Sequence, residues 1–530
     1  NSKLQGDLSM AGLPDLNSTF IDLKANDLQT DYQDLALIIP GIKKSGVAFR
    51  KLGKVSYQGT FTGFPKDFVA YGTFQTALGS LTSDINMKFQ NGKDPVYSGK
   101  LFTGGFNIGS LFNNKALGML ALNANVSGTG FSADKLKMNV NGKVNRVDFN
   151  HYAFRNLTMK GNFIKKSFNG FFSIDDPNLK ITELYGKVDL SNKNTILNAD
   201  AKVGYINLKN LGLTKDNLSL SGMLNLNFTG NTIDNFLGSA SIHHASLYKD
   251  STKLLFDSLR IVSQEENGTR QLKIESNLMQ ANISGKFKIL ELPNAFTFFL
   301  AKYYPAYFKA PKKLSEQNFD FRIQTKEIDD FVQLFNNKLK GFSYADIKGS
   351  VHLNTYELFM DANIPSFSYD GKMFSNTSFL GKGNRESLNA VMLVDNIKFK
   401  DSLQFPKSKI NVTASNNISN ISLVTSANKT LDSAELNATI THLKEGIEIQ
   451  FAPSSFVLNG NKWLLEKDGT ISLLPGKVTA DKVKFVHDNQ NIILYTRLNP
   501  QTGESELVAD LTQIDIEDFL PIVVSKPELR

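Results

Sequence analysis

The feature that most limits what this sequence can fold into is a strict alternation of apolar and polar residues. It recurs along the whole chain with almost no long amphipathic helix beside it. The clearest case lies at 218–230: Leu218, Leu220, Leu224, Leu226 and Phe228 alternate with Ser219, Ser221, Asn225 and Asn227. Successive side chains of a strand point to opposite faces, so this stretch is a strand with one dry and one wet side. The same rhythm runs through Val55, Tyr57, Gly59, Phe61 and Gly63, through Leu136, Met138 and Val140, through Leu197, Ala199, Ala201 and Val203, and through Phe319, Phe321 and Ile323. Between Val144 and Val147 the parity slips by one, which marks a bulge or bend. Asn-Gly or Asp-Gly pairs beginning at Asn91, Asn141, Asn169, Asn267, Asp370, Asn459 and Asp468 tolerate positive φ and predict tight antiparallel hairpins.

A longer grammar repeats above the strands. Ile206-Asn207-Leu208 opens a short amphipathic turn that leads through Leu211 to the strand at Leu218. Phe106-Asn107-Ile108 leads likewise through Leu111 to Leu120, Leu122, Ala124, Val126 and Gly128. Ile328-Asp329-Asp330-Phe331 leads through Leu334 and Phe335 to Ile347, Gly349, Val351 and Leu353, and Ile514-Asp515-Ile516 with Phe519 begins a fourth copy. Units near 106–140, 206–230, 328–354 and 514–530 predict a loosely repeated, elongated array of strand–short helix–strand units. The interrupted fourth copy leads us to expect a continuation past Arg530, and Asn1 in place of Met a preceding segment.

At 530 residues, length alone suggests three or four domains. The 15 prolines are not clustered, however, and no Ser/Gly-rich linker occurs, so one continuous body over 1–530 is expected. At ~15–20 residues per strand and turn the chain holds roughly 30 strands. One stretch departs from the rhythm: residues 294–308, rich in Phe and Tyr and bracketed by Pro293, Pro305 and Pro311. It predicts a short apolar helix inserted at 294–310 against the sheet's apolar face, with Phe296, Phe299, Leu300 and Tyr303 as its contacts. No apolar run reaches the ~20 residues of a spanning helix.

Catalytic chemistry finds no support. The absence of cysteine excludes disulfides, zinc–thiolate sites and cysteine catalysis. Six histidines are scattered, and His243 and His244, adjacent on a strand, point apart and cannot share a metal. Gly128-Thr129-Gly130-Phe131-Ser132-Ala133 imitates a dinucleotide fingerprint but is followed by a strand. Asp175-Asp176-Pro177 and Glu265-Glu266-Asn267-Gly268 read as solvated carboxylates at turns, and Lys165-Lys166-Ser167-Phe168 as a charged turn beside a buried ring. The net charge of +8 is dispersed, without an Arg cluster or nucleic-acid module. The expectation is a protein that is not an enzyme, with no cofactor, no metal and no nucleic-acid partner.

Strands with one apolar face need a cover. A sealed solenoid or sandwich, a lipid-facing barrel and an open groove holding acyl chains all satisfy that need. A barrel wants Trp/Tyr girdles, and 40 Phe against 1 Trp counts against it. Between the other two, periodicity does not decide. The repeat at 206–230, the Ile328 unit with Ile347 to Leu353, and Tyr57-Gln58-Gly59-Thr60-Phe61-Thr62-Gly63-Phe64 together resemble the AsmA-like superfamily, most closely its TamB family. That resemblance implies an all-β, elongated, U-shaped antiparallel β-groove, a β-taco, in the periplasm of a Gram-negative envelope. It implies transport of phospholipid to the outer membrane, an inner-membrane N-terminal helix, and a C-terminal region engaging an Omp85-type outer-membrane barrel. Both of those ends are expected to lie outside this chain. The partners implied are phospholipid acyl chains, the inner membrane and that barrel. An assembly or translocation chaperone for outer-membrane proteins, and a sealed β-solenoid adhesin, are the alternatives. Shared grammar places Leu120, Leu122, Val126, Leu136, Met138, Val140, Leu224, Leu226, Phe228, Val351 and Leu353 along one apolar trough. Three Asp-Ser-apolar triplets mark Ser258, Ser402 and Ser433 as candidates for periplasmic O-glycosylation.

Overall fold

The structure, a computed structural model, describes residues 2–38, 47–90, 92–132, 134–250, 252–400, 403–426, 431–501 and 503–515. Among these the protein is all-β: 34 strands form an antiparallel open sheet, not closed into a barrel, with few short helices. The chain divides into two compact units, Asn1–Leu259 and Arg260–Arg530. Asn91, Ser402, Ile516 and Phe519 lie outside the described residues.

The first unit is a meander. From Lys3–Ala11 to Leu237–Lys249, each of fourteen strands pairs antiparallel with the next in sequence. The parity slip falls where expected. Ala121 pairs with Arg146 and Leu122 with Val144, so Asn145 is the extra residue of a bulge.

Two expected hairpins do not form. Asn141-Gly142 lies within the strand Lys137–Phe149 and Asn169-Gly170 within Ser167–Asp176. The turns fall instead at Asn150-His151, with φ of 49° and 69°, and at Lys165, with φ of 55°. An Asn on the wet face followed by a Gly on the dry face has the same letters as a turn. The glycines serve a different need here. Ile85, Gly99, Val126, Val140, Gly161, Gly170, Gly186 and Ala199 are successive register partners, one row of small or β-branched residues across the dry face. A Cβ on Gly170 would lie 2.4 Å from the Lys160 oxygen and 2.5 Å from the Gly161 Cα. The neighbouring strand leaves no room for a side chain at that point. Gly170→Val is therefore expected to cost about 1–3 kcal/mol through backbone displacement, seen as a lowered urea midpoint by far-ultraviolet circular dichroism. An unchanged midpoint would refute the close approach.

In the second unit the glycine signals behave as turns. Asn267-Gly268, Asp370-Gly371 and Asn459-Gly460 all take positive φ at both residues between paired or adjoining strands. Asp468-Gly469 also turns, but the flanking strands Asn461–Leu465 and Thr470–Leu474 take other partners, Val483–His487 and Gly446–Phe451. That difference follows from a split in the sheet. The long strand Leu431–Leu443 is faced along one half by Gly446–Phe451 and along the other by Ser454–Leu458. Pro453 sits at the break, where a residue without an N–H cannot continue the ladder. The inserted helix, expected over 294–310, instead spans Leu292–Tyr303, with Pro293 in its first turn, and 304–310 is not helical. It ends at the residue before Tyr304-Pro305, as the steric restriction ahead of proline requires.

The repeated turns are less uniform than their sequences. Ile108–Leu111 and Asp329–Phe335 are short helices. The segment after Asn207 is a turn and not a helix. Asn107 and Asn207 nevertheless act alike: each side-chain oxygen accepts the backbone N–H three residues on, from Ser110 at 2.8 Å and Asn210 at 2.9 Å. Gly212, with φ of 73°, stops the second case after one turn.

Candidate functional site

The dry face of the first unit gathers the expected lining residues into two clusters. Tyr97, Ala124, Val126 and Val140 are the buried centre of one, with Leu122, Leu136, Met138, Met159, Phe163 and Phe168 packed around them. Val144, Leu157, Ile174 and Leu179 centre the other, with Leu120, Leu122 and Met159 at its edge. Leu122 and Met159 belong to both, so the clusters join into one apolar strip that crosses strands from Gly79–Lys88 to Ile196–Asn207. Among the described residues no helical residue belongs to either. Leu224, Leu226 and Phe228 stand half-buried on the following strand, opposite Ala201, Ala199 and Leu197.

The second unit treats its dry face differently, because the Leu292–Tyr303 helix packs on it. Ala295, Phe299 and Tyr303, spaced by four, are 0% exposed and meet Leu272, Phe287, Phe319, Val351 and Ala414. Val351 is itself fully buried, and Leu353 packs at the margin of the same cluster. Phe296 joins them edge-on to Phe319 and Phe321. Leu300 is half-buried outside the cluster.

Polar contacts fix both ends of this helix. At the start, the Glu291 carboxylate accepts the Ser315 hydroxyl at 2.5 Å and the Ser315 N–H at 2.8 Å, and these bonds hold its pKa below the usual range. At the end, the Tyr303 hydroxyl donates to the Asn384 carbonyl at 2.7 Å, and burial pushes its pKa up to about 12. Asn417 clasps the exit: its N–H donates to the Tyr303 carbonyl at 2.7 Å, and its side-chain oxygen accepts the Ala306 N–H at 2.8 Å. Beyond it, His442 lies edge-on to Tyr304 and Tyr307 and shares a 2.9 Å hydrogen bond with Ser419.

Burial lowers the His442 pKa from its ordinary value. The unfolded chain therefore takes up this proton at a higher pH than the folded chain does. The stability His442 contributes is complete above about pH 6.5 and is lost as pH falls through the lower folded value. His442→Gln is expected to shrink the loss of unfolding midpoint below about pH 6.5. The check is a pH series of urea melts, and parallel curves for the two proteins would contradict the linkage.

One polar knot runs against the sequence reading. Asp176 is 5% exposed and not solvated. It accepts the Tyr152 hydroxyl at 2.5 Å, the Arg155 N–H at 3.0 Å and the Asn178 N–H at 2.9 Å. Parity carried the signal, since Phe172, Ile174 and Asp176 occupy every second place on the dry side. Glu265 and Glu266 are exposed. Of the modification candidates, Ser258 is half-buried in the strand Thr252–Glu266, and Ser433 is exposed opposite Val457. Both stand in strands and not in turns.

Among the described residues no group of three or more His, Asp or Glu could hold a metal ion, and no helix is long and apolar enough to cross a membrane. No family model matches the sequence, and neither a curated protein nor a solved structure matches the chain.

Proposed function

We propose that this chain is a non-enzymatic lipid conduit of the AsmA-like, TamB-like kind. It carries phospholipid between the inner and outer membranes across the periplasm and supports outer-membrane biogenesis. The acyl chains lie on the dry face of the first unit. One observation carries this reading: half-buried Leu122, Leu136, Met138 and Met159, around a buried centre of Val126 and Val140, form a strip that crosses successive strands, and among the described residues no helical residue packs into its clusters. An acyl chain asks for apolar contact alone, worth about 0.8 kcal/mol per buried methylene, and a sheet face supplies that contact without specific polar partners. The inner membrane and an Omp85-type outer-membrane barrel are the proposed partners.

The second unit favours a different reading of its own face. Phe299, Tyr303 and Val351 are fully buried there, as in a sealed core. We assign that face to structure and lipid binding to the first unit. The deciding experiment is solvent extraction of the purified native chain followed by mass spectrometry. Phospholipid at a stoichiometric level is expected, and lipid-free protein that also takes up none from vesicles would overturn the proposal.

A further inference from the structure

The opposite, wet face of the first unit carries a groove of about 1070 Å³ crossing seven strands, from Gly79–Lys88 to Leu179–Asp189. We infer that this groove binds an extended, carboxylate-bearing polysaccharide. The inference does not rest on the lipid reading: Val126 and Val140 also border the groove, but the side chains that carry the inference alternate with theirs along each strand.

The register places the groove's polar groups in two parallel rows. Asn139, Asn162 and Asn169 are successive partners in one, and Asn125, Asn141 and Lys160 in the other. All five asparagines line the groove and are exposed. None of their side chains has a hydrogen-bond partner among the described residues, although each amide offers two donors and an acceptor. Elsewhere on this face similar amides are occupied, as Asn225 is by Asp200 at 2.6 Å. Neighbouring strands lie ~4.8 Å apart, close to the length of one sugar ring in an extended glycan. A ladder of idle amides at that interval suits a polymer with a hydroxyl-rich repeat better than a small molecule.

Charge and aromatic surface narrow the class. Lys100 and Lys160 line the groove and Lys143 an adjoining hollow of about 340 Å³, against one acid, Asp84. No ion pair engages these three lysines among the described residues, so an anionic ligand meets a complementary field. At one end Phe171 and Tyr185 lie with ring centroids 5.0 Å apart, and Tyr185 is 57% exposed. Such a pair offers an apolar platform with a polar rim for the face of a sugar ring. Nucleic acid fits less well. The lysines are few and spread, no arginine lines the groove, and Asp84 would meet the phosphates.

The test uses the full chain in affinity electrophoresis and calorimetry with polygalacturonate, neutral dextran and a single-stranded oligonucleotide. Binding to polygalacturonate alone is expected. The exposed, unbonded positions allow substitution without loss of the fold, so Asn141→Ala with Lys160→Ala, and separately Tyr185→Ala, should each weaken binding about tenfold. Lys340→Ala in the second unit should leave it unchanged. Equal binding to the oligonucleotide would mean an unspecific cationic surface, and absence of binding to polygalacturonate, or insensitivity to both groove variants, would likewise overturn the assignment.

Discussion

Phe299→Ala is expected to cost about 3–5 kcal/mol of stability. The ring is 0% exposed at the centre of the cluster formed by the Leu292–Tyr303 helix and its sheet. The helix is held at both ends by Glu291 and Tyr303, so it cannot slide to fill the void. Trp463 supplies the readout: it is the chain's one tryptophan, fully buried in the same unit. The urea midpoint by its fluorescence should fall sharply for Phe299→Ala and less for Leu300→Ala, which lies outside the cluster. Equal losses would mean that the helix is not a core element.

Leu226→Arg is expected to lower phospholipid affinity about a hundredfold while leaving the fold intact. The side chain is half-buried between Ala199 and Ala240 on the dry face. A guanidinium there takes an acyl chain away from about four methylenes, roughly 3 kcal/mol at ~0.8 kcal/mol each. The half-open position lets water reach the charge, whereas Val140, at 5% exposure, would bury it and report on folding instead. Asn225→Arg, one residue away on the wet face, is the control. Photo-crosslinkers at Leu226 should capture lipid and those at Asn225 should not. If both positions label alike, or if Leu226→Arg leaves the extracted lipid unchanged, the conduit reading fails.

Period-two patterning made most of the fold legible, because a sheet with one dry face imposes it residue by residue. Leu218 to Phe228 fall in one strand, and even the bulge near Asn145 was visible as a broken parity. What misled was chemistry with two structural meanings. Asn141-Gly142 and Asn169-Gly170 satisfy a turn's demand for positive φ, yet the glycines answer a demand for space: a Cβ on Gly142 would lie 2.3 Å from that of Ala124. Asp176 misled in the other direction, because adjacency to Asp175 and Pro177 outweighed its place in the alternation. The helix at 292–303 was legible from its apolar density and flanking prolines. Its bonds to Ser315, Asn384 and Asn417 were not, since partners 24 to 114 residues distant leave no mark in a local pattern. Nor was the wet groove. Its asparagines read singly as solvated strand residues, and only the register aligns them into rows.

The first unit's pairing of every strand with its sequence neighbours has a consequence for how such a chain can change in length. Excising two adjacent strands, as from Lys137 to Ile164, would bring Leu117–Thr129 beside Ser167–Asp176 in the same antiparallel sense, with every remaining loop on its original rim. Excising one strand would send all later loops to the opposite rim. Growth and loss are thus quantised in hairpins, each changing the span by roughly 10 Å, two interstrand spacings.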